Sequence, residues 1–187
     1  MKGHKLYESK TIINYKDNII SDCNLAFRIF QEKFDSDETT WMYEDYNIFS
    51  LTSSNILFYD LYKELNYCIR DYFGDQRPLW LGAWINYHAN DKVEESLGFH
   101  YHLAPYHGYI SIDPKNTTTI FKNGLEIENK VGQIYIGPGQ DWGNNGDEWD
   151  HKVVVNGPYE GNRITIGFDV TQEPNIIHSK ANFYPLI

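Results

Sequence analysis

Hydrophobic residues in the first part of the chain recur at helical spacing. Between residues 21 and 34, apolar side chains repeat every three or four positions, and Ser21 or Asp22 could cap a helix there. A clearer apolar stripe follows the hydroxyl residues at 52–54, any of which could act as the N-cap, and it stops near Phe73. The pattern therefore predicts two amphipathic helices in the N-terminal part of the chain.

From Pro78 onward, the spacing changes to short alternating runs that are rich in β-branched and aromatic residues and bounded by Gly, Pro, Asn and Asp. An isolated run of this kind, KTIINY at residues 10–15, favours a short strand ahead of the helices. The predicted strands after Pro78 are LWLGAWINYH, HGYISID, TTTIF, GQIYIGP, HKVVVN and NRITIGFDV. Together these elements predict a mainly β (α+β) fold, a sandwich or jelly roll, with the N-terminal helices packed on one sheet.

The length of 187 residues suits one domain with a full hydrophobic core, since two domains would each be small. We therefore expect a single domain over residues 1–187. Its expected parts are a helical support region at 1–77, a β core at 78–171 and a C-terminal tail at 172–187.

A formal net charge of −10 argues against nucleic acid or an anionic membrane as a partner, because like charges repel each other. No N-terminal stretch has the pattern of a signal peptide, and no run approaches the ~20 apolar residues that a membrane helix needs. We expect a soluble, cytoplasmic protein. Its two cysteines, Cys23 and Cys68, are too few for a disulfide framework and are expected to be free thiols.

Histidines concentrate in one stretch, SLGFHYHLAPYHGYISID, which contains three of the seven in the chain. On a strand, residues two apart share a face, so His100 and His102 could both bind one metal ion. A third ligand could be His151, which follows the Gly- and Trp-rich segment GQDWGNNGDEWD and begins a later strand. The odd spacing of His107 from His102 predicts that His107 points to the other side of its strand or toward substrate. Taken alone, a His-x-His pair also fits ordinary strand histidines that hydrogen-bond to their neighbours.

The predicted strand NRITIGFDV contains a charge at a position that should face inward. Its alternation puts Arg163, Thr165 and Gly167 on one face, which is the inner face of a barrel or sandwich. An unpaired buried charge costs several kcal/mol or more, so the position requires a partner. An anionic ligand would supply one, and an ion pair with Asp169 or Glu160 is the plainer alternative.

This order of motifs, a His-x-His, a distant His and then Arg-x-Thr, resembles the Fe(II)- and 2-oxoglutarate-dependent oxygenases, in particular their prolyl-hydroxylase-like and bacteriophage members. The resemblance spans roughly residues 79–170 and implies a double-stranded β-helix, the cupin-like form of the jelly roll. It implies that His100, His102 and His151 hold Fe(II). The family usually has a carboxylate at the position of His102. Either three histidines bind the metal here, or another acid such as Asp150 completes the site.

The remaining matches concern the cosubstrate. Arg163 and Thr165 match the residues that hold the distal carboxylate of 2-oxoglutarate in the family. Tyr87 sits where related hydroxylases place a tyrosine that contacts the cosubstrate, and TTTIF resembles the family's Thr-x-Phe strand. In a chain with fifteen tyrosines, Tyr87 could equally be a core aromatic residue. The resemblance thus implies an enzyme that binds 2-oxoglutarate and dioxygen beside its iron.

The implied activity is hydroxylation, in which 2-oxoglutarate is oxidatively decarboxylated while a prolyl or other peptide, a protein or a small molecule gains a hydroxyl group. A phage-encoded member would act in the host cytoplasm. Two alternatives stay open: a non-redox cupin-like module that holds Zn or Ni, and a phage structural or interaction protein whose histidines are incidental. Neither alternative needs Arg163 and Thr165 to bind a dicarboxylate. The segment from Trp142 to Trp149 could be a substrate lid or a plain connector.

Overall fold

Nine strands and three helices are found in the part of the chain that the computed structural model describes, which comprises residues 3–34, 46–89, 98–139, 147–172 and 183–186. The helices are α1 (Lys10–Phe34), α2 (Ile48–Leu51) and α3 (Ile56–Phe73). The strands are β1 (Lys5–Glu8), β2 (Trp80–Ala89), β3 (Tyr106–Asp113), β4 (Thr117–Phe121), β5 (Glu126–Glu128), β6 (Gln133–Pro138), β7 (His151–Val155), β8 (Asn162–Thr171) and β9 (Tyr184–Pro185).

The strands form two antiparallel sheets of unequal size. The larger sheet has the order β1-β6-β3-β8-β2-β9, and the smaller sheet has the order β5-β4-β7. Each of the six strands that the alternation predicts is present, as β2, β3, β4, β6, β7 and β8. The prediction missed β1, β5 and β9, which have only four, three and two residues and are too short to show a period.

The first helix overturns one prediction, because KTIINY is not a strand. Residues 10–15 are the start of α1, which has non-helical backbone angles at Tyr15 and continues through the predicted helix at 21–34. Ile12, Ile19 and Cys23 are fully buried at intervals that fit one face of a helix. Tertiary burial of this face outweighs the β propensity of the short Thr-Ile-Ile run.

The second predicted helix is α3, and its cap lies one residue beyond the expected positions. Asn55 is the N-cap, since its side chain accepts hydrogen bonds from the backbone N–H groups of Leu57 and Phe58. The hydroxyl residues at 52–54 form the turn between α2 and α3 instead. The helix ends as predicted at Phe73, because Gly74 adopts a left-handed φ of 73°. No helix among the described residues is long and apolar enough to cross a membrane.

The hydrophobic core lies between the helices and one face of the larger sheet. On β8, Ile164, Ile166, Phe168 and Val170 are buried in this core together with residues of α1 and α3. Because side chains alternate along a strand, the intervening residues of β8 point to the opposite face. That second face looks toward the smaller sheet, and the space between the two sheets contains the candidate site.

Candidate metal centre

Two of the predicted ligands are joined through the main chain. The backbone N–H of His100 donates to the carbonyl oxygen of His151 at 3.0 Å, and the N–H of His151 donates back to His100 at 3.0 Å. This isolated bridge connects the segment before β3 to the first residue of β7. It places the two imidazole rings 4.3 Å apart, measured between their centroids.

The third predicted ligand joins the same cluster. One ring nitrogen from each of His100, His102 and His151 lies within 4.8 Å of the others, an arrangement that could hold a metal ion. The three histidines therefore lie together as predicted, but strand alternation is not the cause. Residues 101 and 102 are outside any strand, and the bridge to β7 rather than strand alternation brings the rings together.

Each Nδ1 atom of the three rings lies near a hydrogen-bond acceptor. Nδ1 of His100 is 2.9 Å from the carbonyl oxygen of Gly98, and Nδ1 of His102 is 2.8 Å from Oδ1 of Asp169. Nδ1 of His151 faces the carbonyl oxygen of Trp149 at 3.5 Å. An acceptor at Nδ1 keeps the proton on that atom, so each Nε2 retains the lone pair that a metal needs.

Burial disfavours the charged form of two of the three rings. It lowers the pKa of His100 to about 4, and the nearby His102 adds to this effect. Burial also lowers the pKa of His151 well below its ordinary value, with His100 and His102 as the next causes. Since a metal binds only the deprotonated ring, these histidines need to release no proton near neutral pH.

A fourth histidine, His107, packs against the cluster. Its side chain on β3 is 1% exposed, and its ring centroid lies 4.4 Å from that of His102 and 4.8 Å from that of His151. The parity argument that pointed His107 elsewhere was wrong, because residues 103–105 form bends and interrupt the strand. Burial lowers the pKa of His107 well below its ordinary value.

A cavity of about 450 Å³ opens beside the histidines and extends between the two sheets. Its walls include all three candidate ligands and, from β8, the four residues Arg163, Thr165, Gly167 and Asp169. The predicted inward face of β8 is therefore confirmed. It also includes Asp169, two residues beyond Gly167. The volume is sufficient for a small organic acid.

Arg163 is a buried cation without an anion. Its side chain is 3% exposed, and its Nε has no hydrogen-bond partner. No carboxylate of the described residues lies within ion-pair distance of it, so the alternative of pairing with Asp169 or Glu160 is not realised. Burial lowers the pKa of the guanidinium to about 10, which still leaves it charged near neutral pH. The cavity wall thus presents a positive charge suited to an anionic ligand.

Thr165 and Tyr87 differ in where they lie. Thr165 lines the cavity, where its hydroxyl oxygen is 3.4 Å from the Asn86 side-chain nitrogen. Tyr87 lies on the opposite face of β2, where its hydroxyl donates to Asn24 and its ring stacks on Phe27 at 4.2 Å. The structure does not bring Tyr87 to the cavity, and Asn86 takes the inward position instead.

Asp150, the alternative ligand, lies outside the ligand cluster. Its Oδ2 is paired with Nζ of Lys122 at 2.8 Å, and it is not among the residues whose ligand atoms converge. The carboxylate that touches a candidate ligand is Asp169, which the sequence suggested only as a partner for Arg163. The proposed lid falls mainly on residues 140–146, which lie outside the described residues.

Two exposed aromatic residues form the mouth of the cavity. Phe99 is 46% exposed and Tyr101 is 55% exposed, and both line the cavity beside His100. Nζ of Lys152 lies 4.9 Å from the centre of the Phe99 ring. Large aromatic side chains exposed at the rim of a cavity provide contact area for a bound substrate.

Comparison with known proteins shows likeness in structure alone. No protein-family model and no curated protein sequence matches the chain. A truncated form of the viral collagen prolyl hydroxylase from Paramecium bursaria Chlorella virus-1 superposes with a TM-score of 0.56 over 90% of this chain and 89% of that one, at 10% identity. The non-heme alpha-ketoglutarate-dependent epimerase SnoN from nogalamycin biosynthesis gives a TM-score of 0.49 over 91% of this chain and 76% of that one, at 9% identity.

The likeness to the viral hydroxylase extends over most of this chain. Together with the two facing antiparallel sheets, it confirms the predicted jelly-roll fold with helices on one sheet. The resemblance that the motif order indicated is thereby confirmed at the level of the fold.

Proposed function

We propose that this chain is an Fe(II)- and 2-oxoglutarate-dependent dioxygenase that hydroxylates its substrate. One observation carries the proposal: a buried guanidinium without an anion and a cluster of three histidines line the same cavity. A metal site alone accounts for the histidines but gives no reason to bury Arg163. A ligand with a carboxylate at one end and a metal-chelating group at the other accounts for both.

In this proposal, His100, His102 and His151 hold the iron through Nε2. The donor set fits a divalent metal of this kind, since imidazole nitrogen binds iron as well as zinc, copper and nickel. When bound, the iron supplies chelation of the keto acid and activation of dioxygen. All three residues line the cavity, so a metal that they hold would be in reach of a ligand bound there.

The role of Arg163 is to bind the distal carboxylate of 2-oxoglutarate. A guanidinium can donate two parallel hydrogen bonds to a carboxylate, and burial strengthens such a pair by excluding water. Thr165 adds a hydroxyl donor from the same face of β8, supported by Asn86 on the neighbouring strand. With one end fixed in this way, the keto end of the molecule is oriented toward the histidines.

The balanced reaction converts 2-oxoglutarate, dioxygen and a C–H substrate into succinate, carbon dioxide and the hydroxylated substrate. The cavity walls exclude water from the reacting groups, and Phe99 and Tyr101 at the mouth contact the substrate. The viral neighbour is named as a collagen prolyl hydroxylase. Proline-containing peptides are therefore the first substrate class to test, followed by free amino acids and other small molecules.

Anaerobic titration of the Fe(II)-loaded protein with 2-oxoglutarate tests the proposal. We expect a visible metal-to-ligand charge-transfer band that saturates with one equivalent of 2-oxoglutarate. Glutarate, which lacks the keto group, serves as the control and should produce no band. If iron is bound and no band forms, the proposal fails, and a metal-binding module without redox chemistry becomes the better account.

A second prediction compares Thr165, which faces the cavity, with Tyr87, which faces the helices. Thr165→Val should weaken 2-oxoglutarate binding by about tenfold or more, because a hydrogen bond to a charged group is lost. Tyr87→Phe should leave the affinity within about twofold, because its hydroxyl contacts Asn24 on α1 rather than the cavity. The same titration measures both dissociation constants. A large loss in Tyr87→Phe with normal binding by Thr165→Val would reverse the assignment of the faces.

A further inference from the structure

Asp169 is a buried carboxylate that contacts a candidate metal ligand. Its side chain on β8 is 1% exposed, and its Oδ1 lies 2.8 Å from Nδ1 of His102. Among the described residues, this is the one hydrogen-bond or ion-pair partner of the carboxylate. A carboxylate removed from water to this extent is costly unless its charge has a purpose or a counter-charge.

Arg163 does not supply that counter-charge. Both residues point into the cavity from β8, but six positions along a strand correspond to about 20 Å. The two charges therefore lie toward different ends of the cavity. Arg163 faces the space proposed for the distal carboxylate, whereas Asp169 faces the histidine cluster.

The ligand charge of the three-histidine site explains why the carboxylate of Asp169 lies beside His102. A set of two histidines and one carboxylate contributes one negative charge to a divalent metal, and three neutral histidines contribute none. His102 occupies the position at which the resemblance led us to expect the carboxylate. Asp169 is hydrogen-bonded to the far side of this same ring.

We infer that Asp169 replaces, through His102, the negative charge that a directly bound carboxylate would bring to the metal. It holds the proton on Nδ1, orients the ring and makes Nε2 a stronger donor. Asp169 is thus a positioning residue, one step removed from the metal. The inference rests on the proposed metal centre, but it holds for any divalent ion bound there.

Asp169→Asn separates this role from a structural one. The amide keeps the size of the side chain and an oxygen that can accept from His102, so only the charge is lost. Asp150→Asn is the matched control. It also removes one negative charge close to the cluster, but Asp150 is paired with Lys122 and not with a ligand.

The probe is Co(II), whose visible absorption reports binding to each metal-free protein. We expect Asp169→Asn to raise the dissociation constant by about 10- to 100-fold, the range for loss of a partner to a metal-bound histidine. Asp150→Asn should change it less than about threefold. Equal affinities for wild type and Asp169→Asn, or equal losses in the two variants, would overturn the inference.

Proton NMR of the Co(II) proteins measures the chemical shifts of the metal-bound imidazoles. These shifts should not change if Asp169 only supports the packing of the fold. Each bound imidazole that has its proton on Nδ1 gives a paramagnetically shifted signal that exchanges with water, so three such signals are expected. Asp169→Asn should displace one of the three, and Asp150→Asn none. An unchanged spectrum in Asp169→Asn contradicts the inference.

A second background separates the charge of Asp169 from its packing. In His102→Asp, a carboxylate would bind the metal directly and Asp169 would repel it. Adding Asp169→Asn to His102→Asp should therefore tighten Co(II) binding, the opposite of its effect in wild type. A loss of affinity in both backgrounds would contradict the inference.

The outcome for Asp169 is separable from that for the proposed function. If wild type binds Co(II) but Fe(II)-loaded protein gives no band with 2-oxoglutarate, the oxygenase proposal fails and the Asp169 comparison still decides the inference. If wild type binds 2-oxoglutarate and Asp169→Asn behaves like wild type, only the inference fails. If wild type binds no Co(II), both are wrong.

Discussion

Arg163→Met should strongly weaken 2-oxoglutarate binding and stabilise the fold at the same time. Removing one partner of a buried charge pair costs about 2–5 kcal/mol of binding free energy, so the dissociation constant should rise at least ~30-fold. In the ligand-free protein the effect has the opposite sign, because Arg163 is buried without a carboxylate partner among the described residues. Replacing such a charge with an apolar side chain of similar length should raise the free energy of unfolding by about 1 kcal/mol or more.

Urea unfolding and the anaerobic titration together check this prediction. Arg163→Lys is the matched control, because it keeps the charge but loses the two-pronged hydrogen-bond geometry. It should bind 2-oxoglutarate more weakly than wild type yet more strongly than Arg163→Met, with little change in stability. Co(II) affinity should remain near that of wild type in both variants. A Met variant that binds 2-oxoglutarate normally, or that is less stable than wild type, would contradict the assignment of Arg163.

Acidification should destabilise the metal-free protein steeply. The folded-state pKa values of His100, His107 and His151 are all lowered by burial, to about 4 for His100 and well below the ordinary 6.5 for the other two. Below pH 6.5 the unfolded chain therefore binds protons that the folded chain does not. The free energy of unfolding is greatest above pH 6.5 and falls as the pH decreases, by up to about 1.4 kcal/mol per pH unit for each histidine.

Urea unfolding at pH 7, 6 and 5 measures this slope, since carboxylates contribute mainly below this range. His107→Met should reduce the slope by up to about 1.4 kcal/mol per pH unit, because it removes one of the three imidazoles whose pKa is lowered by burial and fills its space with an apolar chain. A stability that is constant between pH 7 and pH 5 would mean that the histidines are able to charge inside the folded protein.

The inner face of a strand was predictable where polar and apolar residues alternate along the sequence. The alternation of β8 correctly placed Arg163, Thr165 and Gly167 on one face, since polar and apolar positions alternate clearly there. In β2 the run WLGAWINYH is buried on both sides, so no alternation shows which face is inner. Only the family resemblance placed Tyr87 beside the cosubstrate, and no alternation in β2 was present to correct it or to indicate Asn86.

The grouping of His100, His102 and His151 was predictable from the order of the motifs, but the cause of the grouping was not. It depends on a backbone bridge between distant segments, which leaves no local pattern in the sequence. His107 was misplaced because the bends at 103–105 break the strand that the parity argument assumed. Asp169 could have been found, since it is the next residue in the same alternation as Arg163, Thr165 and Gly167.

The bridge between His100 and His151 bears on the order of folding and metal binding. The two residues are far apart in the sequence, and a contact between distant segments requires loop closure before it contributes stability. We therefore expect this contact to form late in folding. In a small zinc finger, by contrast, the metal itself drives the folding of the chain. Here we expect the chain to fold without metal, so that a metal would enter a site that is already complete.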